Sequence, residues 1–311
     1  MNLNFLSAIA FPGLGIEINP PSTLDIGPLS IHLYGLIIAV GLLLAVLYAC
    51  GRSRQFGLTV DDLTDGVLCI VPFAILCARL YYCIFQWDNY KDNLIEILYI
   101  WHGGLAIYGG VIGAAIGILV FAKVKKVKVG AVLDITSLGF LIGQSIGRWG
   151  NFFNREAFGS ETDSFLRMGL YKLVTEHGNI VASSSMHYYH PTFLYESVWN
   201  AVGFMLLHFF SKRRKYDGQV ALGYLAWYGL GRTFIESLRT DSLYLGSFRV
   251  SQLLAAVTCF CGVAFLMFFG FQDHDPARLQ ANIFEAQLAA KAAAEEAKEA
   301  EESEESEETE E

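Results

Sequence analysis

Seven mainly apolar stretches of about 17–23 residues divide the chain between residues 33 and 271. They run roughly 33–50, 63–85, 103–122, 132–149, 191–210, 219–236 and 250–271. Each is long enough to carry a helix across a bilayer. Backbone inside lipid must satisfy its own polar groups, so the expected fold is an all-α polytopic membrane protein of seven transmembrane helices. Only 17% of the 311 residues are charged, below the roughly 25% usual in soluble domains. Residues 272–311 hold fourteen acids against three bases, which leaves residues 1–271 at +2. The acidic balance therefore belongs to a tail. The expected organisation is a membrane domain over 1–271 and an acidic cytoplasmic tail over 272–311, with a solvated Ala-rich helix and a disordered Glu/Ser end.

The N-terminus lacks a basic leader, so residues 1–30 are expected along the membrane interface rather than as a cleaved signal peptide. The six cysteines, Cys50, Cys69, Cys77, Cys83, Cys259 and Cys261, all fall in apolar segments without metal-type spacing. They read as small buried hydrophobes, and no metal site is expected.

Basic residues set the orientation. Arg52 and Arg54, then Lys123, Lys125, Lys126 and Lys128, then Lys212, Arg213, Arg214 and Lys215 form three basic loops. The intervening loops are poorer in base, so the N-terminus is expected outside and the tail inside. The long outer connection, about 150–190, is sized for a small extracytoplasmic cap whose secondary structure is not legible in the sequence. Gly109, Gly113 and Gly117 share one face of the third segment, and Gly139, Gly143 and Gly147 share one of the fourth. Such spacing lets helices approach closely.

On this topology the costly residues gather at one level. Arg79, Arg148 and Arg232 lie in the outer halves of their segments. A charge at mid-membrane costs about 2.5–3.5 kcal/mol on insertion scales, so these arginines require a reason. His32, His102 and His190 stand at outer mouths with Glu196 just inside, and Asn151, Glu156, Glu236 and Arg239 follow nearby. Gly103 and Gly104 strip bulk from around His102, as "GRWGN" does around Arg148 and "YGLGR" before Arg232. Arg79 is as well explained by a structural pairing, with a carboxylate such as Glu196, as by ligand binding. Glu236 and Arg239, three apart, are spaced to pair with each other. A transporter needs a polar route through the midplane, whereas this pattern stops at the outer leaflet. Arginines at headgroup depth suit a phosphate, gripped by paired hydrogen bonds, and a lipid phosphate is already there.

"GRWGNFFNREAFG", residues 147–159, resembles the signature of prolipoprotein diacylglyceryl transferases, with Gly147, Arg148, Gly150, Asn151, Phe152, Phe153, Asn154, Glu156 and Gly159 filling the family pattern without a gap. Similar blocks follow the family's order: "GPLSIHLYGL" with Tyr34, "ARLYY" with Arg79, "WHGGLAIYGG" with His102, "HPTFLYE" with His190 and Glu196, and "YGLGRTFIESLRTD" with Tyr228, Arg232, Glu236 and Arg239. Phe193 stands where the family usually carries a Gln-like polar residue. The resemblance covers about residues 26–270 and omits the tail.

The resemblance implies a bacterial inner-membrane enzyme that moves the diacylglyceryl group of phosphatidylglycerol to the lipobox cysteine of a prolipoprotein, without cofactor. Its partners would be that lipid, the prolipoprotein signal peptide and the surrounding membrane lipids, with no nucleic acid. His102 would be the base and Arg148 and Arg232 the phosphate grip, with Glu156 as an orienting or rival basic group and His190 a further rival base. Asn151, Asn154, Tyr34, Tyr228, Arg79, Glu236, Arg239, Gly103 and Gly104 would line the substrate. The rival readings are a secondary transporter or another lipid-handling protein, an intramembrane protease and a purely structural membrane protein. Ser145 shows no paired base and Asp134 no partner aspartate, which speaks against the protease.

Overall fold

The computed structural model describes residues 8–27, 29–176, 179–240, 244–245 and 248–310, with the side chains of 29, 102, 172–176, 179–184, 244–245, 248 and 300–310 outside that description. Its long helices are α1 (Leu33–Arg52), α2 (Val60–Phe85), α3 (Ile107–Lys125), α4 (Val129–Asn154), α5 (Thr192–Ser211), α6 (Gln219–Leu238), α7 (Val250–Gly270) and α8 (Gln280–Glu310). Five are long and apolar enough to cross a membrane: α1 with the turn after it (Leu33–Phe56), α2, α3, α4 and α7. Helices α5 and α6 have the length, but Glu196, Asn200 and His208 interrupt one and Arg232 and Glu236 the other. The chain divides into two compact units, one of residues 1–48, 137–211 and 222–272, the other of 49–136, 212–221 and 273–311.

The all-α expectation is corrected in the first unit, which also contains sheet. The strands are β1 (Ile9–Phe11), β2 (Ile16–Ile18), β3 (Thr23–Ile26), β4 (Leu29–His32), β5 (Met168–Glu176), β6 (Asn179–Tyr189), β7 (Tyr244–Leu245) and β8 (Phe248–Arg249). The order β2-β1-β5-β6 makes one antiparallel sheet, while β3-β4 and β7-β8 are hairpins. The described part of residues 1–30, the stretch expected along the interface, thus supplies strands. Alternation explains the choice: Ile9 and Phe11 point inward at period two and join Phe152, Met168, Leu170, Tyr189 and Phe193 in a buried cluster. The end of α4 and the start of α5 are thereby pinned to the sheet. Within the same unit α1 meets α4 at small residues, where a Cβ on Gly147 would lie 3.0 Å from Ile38 and one on Gly41 3.5 Å from Gly143 Cα. A Cβ on Gly139 would lie 3.6 Å from Ala45 Cβ, and one on Gly143 would meet nothing within 4 Å.

In the second unit α2 and α3 form a tight hairpin. Helix α2 opens on a capping box in which the Thr59 hydroxyl accepts from Asp62 N at 3.0 Å and the Asp62 carboxylate accepts from Thr59 N at 3.0 Å. A Cβ on Gly109 or Gly113 would collide with the carbonyl oxygens of Cys77 and Phe73, and one on Gly117 would sit 2.9 Å from Ile70 Cα. The small-residue face is therefore the α2–α3 contact. Buried Asp134 accepts from Gly218 N and Ala221 N, each at 2.9 Å, and so caps α6. Asp217 accepts from Gln280 N at 2.9 Å and caps α8. The Ala-rich part of the tail is helical, and the backbone helix continues to Glu310.

Replacing Gly113 by Val should destabilise the protein by about 3 kcal/mol or more through overpacking against backbone. Gly143→Ala should be neutral or stabilising by about 0.5–1 kcal/mol. Thermal unfolding of the two purified variants in detergent, side by side, checks the contrast.

Candidate functional site

In the first unit one carboxylate gathers three guanidinium groups. Glu196, in the second turn of α5 and 4% exposed, receives Arg148 Nη2 on Oε2 at 2.6 Å. Its Oε1 takes Arg232 Nη1 at 2.8 Å and Arg239 Nη1 at 3.5 Å. Arg232 turns its other amino group to Glu236 Oε2, one helical turn on, at 2.5 Å. Beyond the spacing that suits Glu236 to Arg239, Glu236 takes Arg232 and Arg239 reaches Glu196. Three arginines against two carboxylates leave these direct pairs one positive charge in excess. Arg148 is the most open member, its side chain 23% exposed against 4% for Glu196, so an arriving anion meets Arg148 first.

A neutral relay runs outward from Arg148. Its Nη1 donates to Asn151 Oδ1 at 3.3 Å, and Asn151 Nδ2 donates to Glu156 Oε1 at 3.0 Å. Asn154 Nδ2 donates to the same oxygen at 3.3 Å. The chain makes this return because Arg155 and Ala157 adopt φ of 52° and 56° on either side of Glu156. Left-handed non-glycine residues cost free energy and concentrate at functional sites. Arg155 is held there by donating to the carbonyls of Phe153 at 3.0 Å and Pro20 at 2.6 Å, and burial lowers its pKa.

Further contacts fix the helices that carry these groups. Ser145 donates to the Ser197 carbonyl at 2.9 Å, Ser197 donates back to the Ser145 carbonyl at 2.7 Å, and Trp149 Nε1 donates to Ser197 Oγ at 3.2 Å. These bonds tie α4 to α5 at the residue next to Glu196. Gly150 is required by Tyr34, whose ring would lie 2.6 Å from an added Cβ. His190 Nδ1 lies 3.3 Å from the Tyr195 hydroxyl.

Beside the arginines, α5 and α6 meet across a crevice lined by Glu196, Trp199, Asn200, Tyr228, Gly231, Arg232 and Ile235, too tight to hold a water molecule. Trp199 also borders an apolar cleft of about 390 Å³, with Leu194, Val198, Val202 and Trp227. Trp199 and Trp227 stack at 4.3 Å, and each indole N–H donates to the other's carbonyl at 3.0 Å. Gly203 and Gly231 make the room, since a Cβ on either would collide with an indole nitrogen.

The second unit holds the remaining expected residues. Arg79 is 3% exposed and donates only to carbonyls in its described bonds: Ile97 at 2.9 Å, Gly103 at 2.5 Å, Gly104 at 3.2 Å, Glu96 at 2.6 Å and Tyr99 at 3.3 Å. Its guanidinium also lies over the Tyr90 ring at 5.2 Å. Where the sequence left a carboxylate partner open, Arg79 is found shaping residues 96–104. Gly103 and Gly104 adopt φ of 86° and 74°, and a Cβ on Gly104 would sit 2.6 Å from Arg79 Nη1. These glycines are set by backbone conformation and by Arg79. The His102 backbone closes a 3-10 turn, Ile100–His102, while its side chain lies outside the described residues.

The expected residue list omitted Glu196 and Asn200. Glu196 carried a signal, an acid inside an apolar segment. Asn200 was hidden among apolar neighbours. Arg249, counted as a loop charge, donates to the Glu236 carbonyl.

The family profile described as "Prolipoprotein diacylglyceryl transferase" matches residues 21–268. Among similar proteins is the phosphatidylglycerol–prolipoprotein diacylglyceryl transferase of Listeria monocytogenes serotype 4a, 40% identical over 256 residues, covering 82% of this chain and 92% of that one. The protein of the same name from Bacillus licheniformis is 41% identical over 268 residues, covering 85% and 98%. That of Limosilactobacillus reuteri is 44% identical over 237 residues, covering 74% and 84%.

Arg79→Lys should loosen residues 94–104, because an ammonium cannot serve carbonyls arranged around a planar fork. Amide hydrogen exchange there should accelerate by about tenfold or more, the loss of a single charge-assisted hydrogen bond or two.

Proposed function

Because the chain belongs to the prolipoprotein diacylglyceryl transferase family, we infer that it transfers the diacylglyceryl group of phosphatidylglycerol to a prolipoprotein. The observation that carries the chemical reading is the convergence of Arg148 and Arg232 on opposite oxygens of Glu196. The acceptor is the lipobox cysteine of a protein still joined to its signal peptide. The sulfur attacks the glycerol carbon that bears the phosphodiester, and the carbon–oxygen bond breaks. A thioether forms, glycerol phosphate departs, and the thiol proton passes to a base.

The arginines supply what the leaving group needs. One unit of excess positive charge matches a phosphodiester monoanion. Guanidinium groups already fixed by Glu196, Glu236 and Asn151 need no reorganisation as charge builds on the departing oxygen. Tyr34 and Tyr228 position substrate beside them. His102 is the base that the family resemblance assigns; an imidazole titrates near pH 6.5 and can take a proton from a thiol of pKa near 8.5. His190 and Glu156 already engage Tyr195 and the Asn151–Asn154 pair, which favours His102.

The basic loops support a bacterial inner-membrane topology in which α1–α7 all cross, the N-terminus lies outside and α8 lies in the cytoplasm. On that topology the arginines sit at the depth of outer-leaflet headgroups. A transporter reading has no continuous polar track to rest on.

Incubation of the purified protein with phosphatidylglycerol and a lipobox peptide should add a diacylglyceryl mass to the peptide, and Cys→Ser in the peptide should abolish it. Absence of the mass gain would overturn the reading. Arg148→Lys should lose about 100-fold or more of the transfer rate, since one ammonium cannot span both Glu196 and Asn151 while meeting phosphate. His102→Asn should cut the rate at saturating phosphatidylglycerol by about 100-fold with thermal stability retained. A change in lipid affinity alone would remove the base assignment.

A further inference from the structure

Asn200 is a polar side chain that the reaction as described leaves unused. It lies in mid-α5, 2% exposed, and its Oδ1 is buried without a hydrogen-bond partner. Such an atom carries a desolvation cost that an apolar residue at this position would not incur. A polar group retained inside an apolar helix points to a ligand. Asn200 is one helical turn beyond Glu196 on the same face, and the two line one tight crevice with Tyr228 and Arg232, which must part to admit a headgroup to the amide.

The lone atom is an acceptor, so it calls for a donor. The crevice also selects the donor's charge. Arg232 borders it, and both Glu196 oxygens are engaged by arginines. A cationic headgroup therefore meets guanidinium without a spare carboxylate, whereas a neutral hydroxyl meets a carbonyl in need of a proton. A glycerol headgroup carries two such hydroxyls next to its phosphate.

We propose that Asn200 reads the lipid headgroup: its amide carbonyl accepts a hydroxyl of the headgroup glycerol while Arg232 holds the adjoining phosphate. The assignment rests on the diacylglyceryl-transfer reading and adds to it a determinant of donor choice. Asn200 forms no bond to the reacting carbon, so it acts on which lipid is used.

The test compares two donors of equal charge, phosphatidylglycerol and phosphatidylpropanol, which lacks both headgroup hydroxyls and releases a similar alkyl phosphate. The full chain in detergent micelles is given a lipobox peptide, and kcat/KM is taken from the mass-shifted product. The wild-type protein should prefer phosphatidylglycerol by tenfold or more, as sites built to bond a hydroxyl reject analogues without one. Asn200→Leu should shrink that preference about tenfold, the worth of one hydrogen bond at about 1.4 kcal/mol.

A preference that survives in Asn200→Leu overturns the proposal, as does an equal fall with both donors, which marks a merely structural role. Should Asn200→Leu fail to fold, the wild-type protein still decides, because equal rates with the two donors also overturn it. Transfer from neither donor by the wild-type protein removes the reaction itself, a separable failure.

Discussion

The carboxylate of Glu196 is the constraint on which the site depends. Arginines are expensive in an apolar helix bundle, and like charges placed together repel. Glu196 offsets both costs by lying between Arg148, Arg232 and Arg239, and Glu236 completes the balance on Arg232. Breaking a buried ion pair by removing one partner costs about 3–5 kcal/mol, because the other charge is left stranded. The same arrangement that permits the arginines to be buried also keeps them aimed, at fixed distances, at a common point. Structure and function here draw on one set of contacts.

The supporting elements serve that focus. The sheet β2-β1-β5-β6 buries Phe152 and Phe193, which lie close to Arg148 and Glu196 in sequence. The Ser145–Ser197 bonds tie the two helices directly. The left-handed residues beside Glu156 turn its carboxylate back toward Asn151. Arg79 does comparable work in the other unit, where it organises the backbone that precedes α3 with side-chain donors instead of regular secondary structure.

The sequence made the helices and the gathering of arginines legible because both follow from the cost of polarity in lipid. Spacing alone identified Gly109, Gly113 and Gly117 as a packing face, and α2 fills it. The strands were not legible. Residue Ala10 pairs with Gly169, and no local pattern reveals a partner so far along the chain. Pairings among charges were half legible: Glu236 and Arg239 are spaced for each other, whereas the contact of Arg239 with Glu196, on another helix, carries no local signal. The left-handed Arg155 and Ala157 carry no glycine to announce them. Asn200 passed unnoticed since a single amide barely alters the hydropathy of its segment.

The paired indoles of Trp199 and Trp227 bear on how the site can move. Two reciprocal hydrogen bonds and two glycine sockets fix α5 to α6 in register, so sliding by a turn would break both bonds and drive each ring into a neighbouring Cβ or backbone. Glu196 and Arg232 therefore keep their register as one plate of two helices. Arg148 arrives on α4, joined to that plate by the serine bonds and its own ion pair. Any breathing of the arginine cluster is thus concentrated in a single seam, between α4 and the α5–α6 plate, and an anion bound across that seam would clasp it shut.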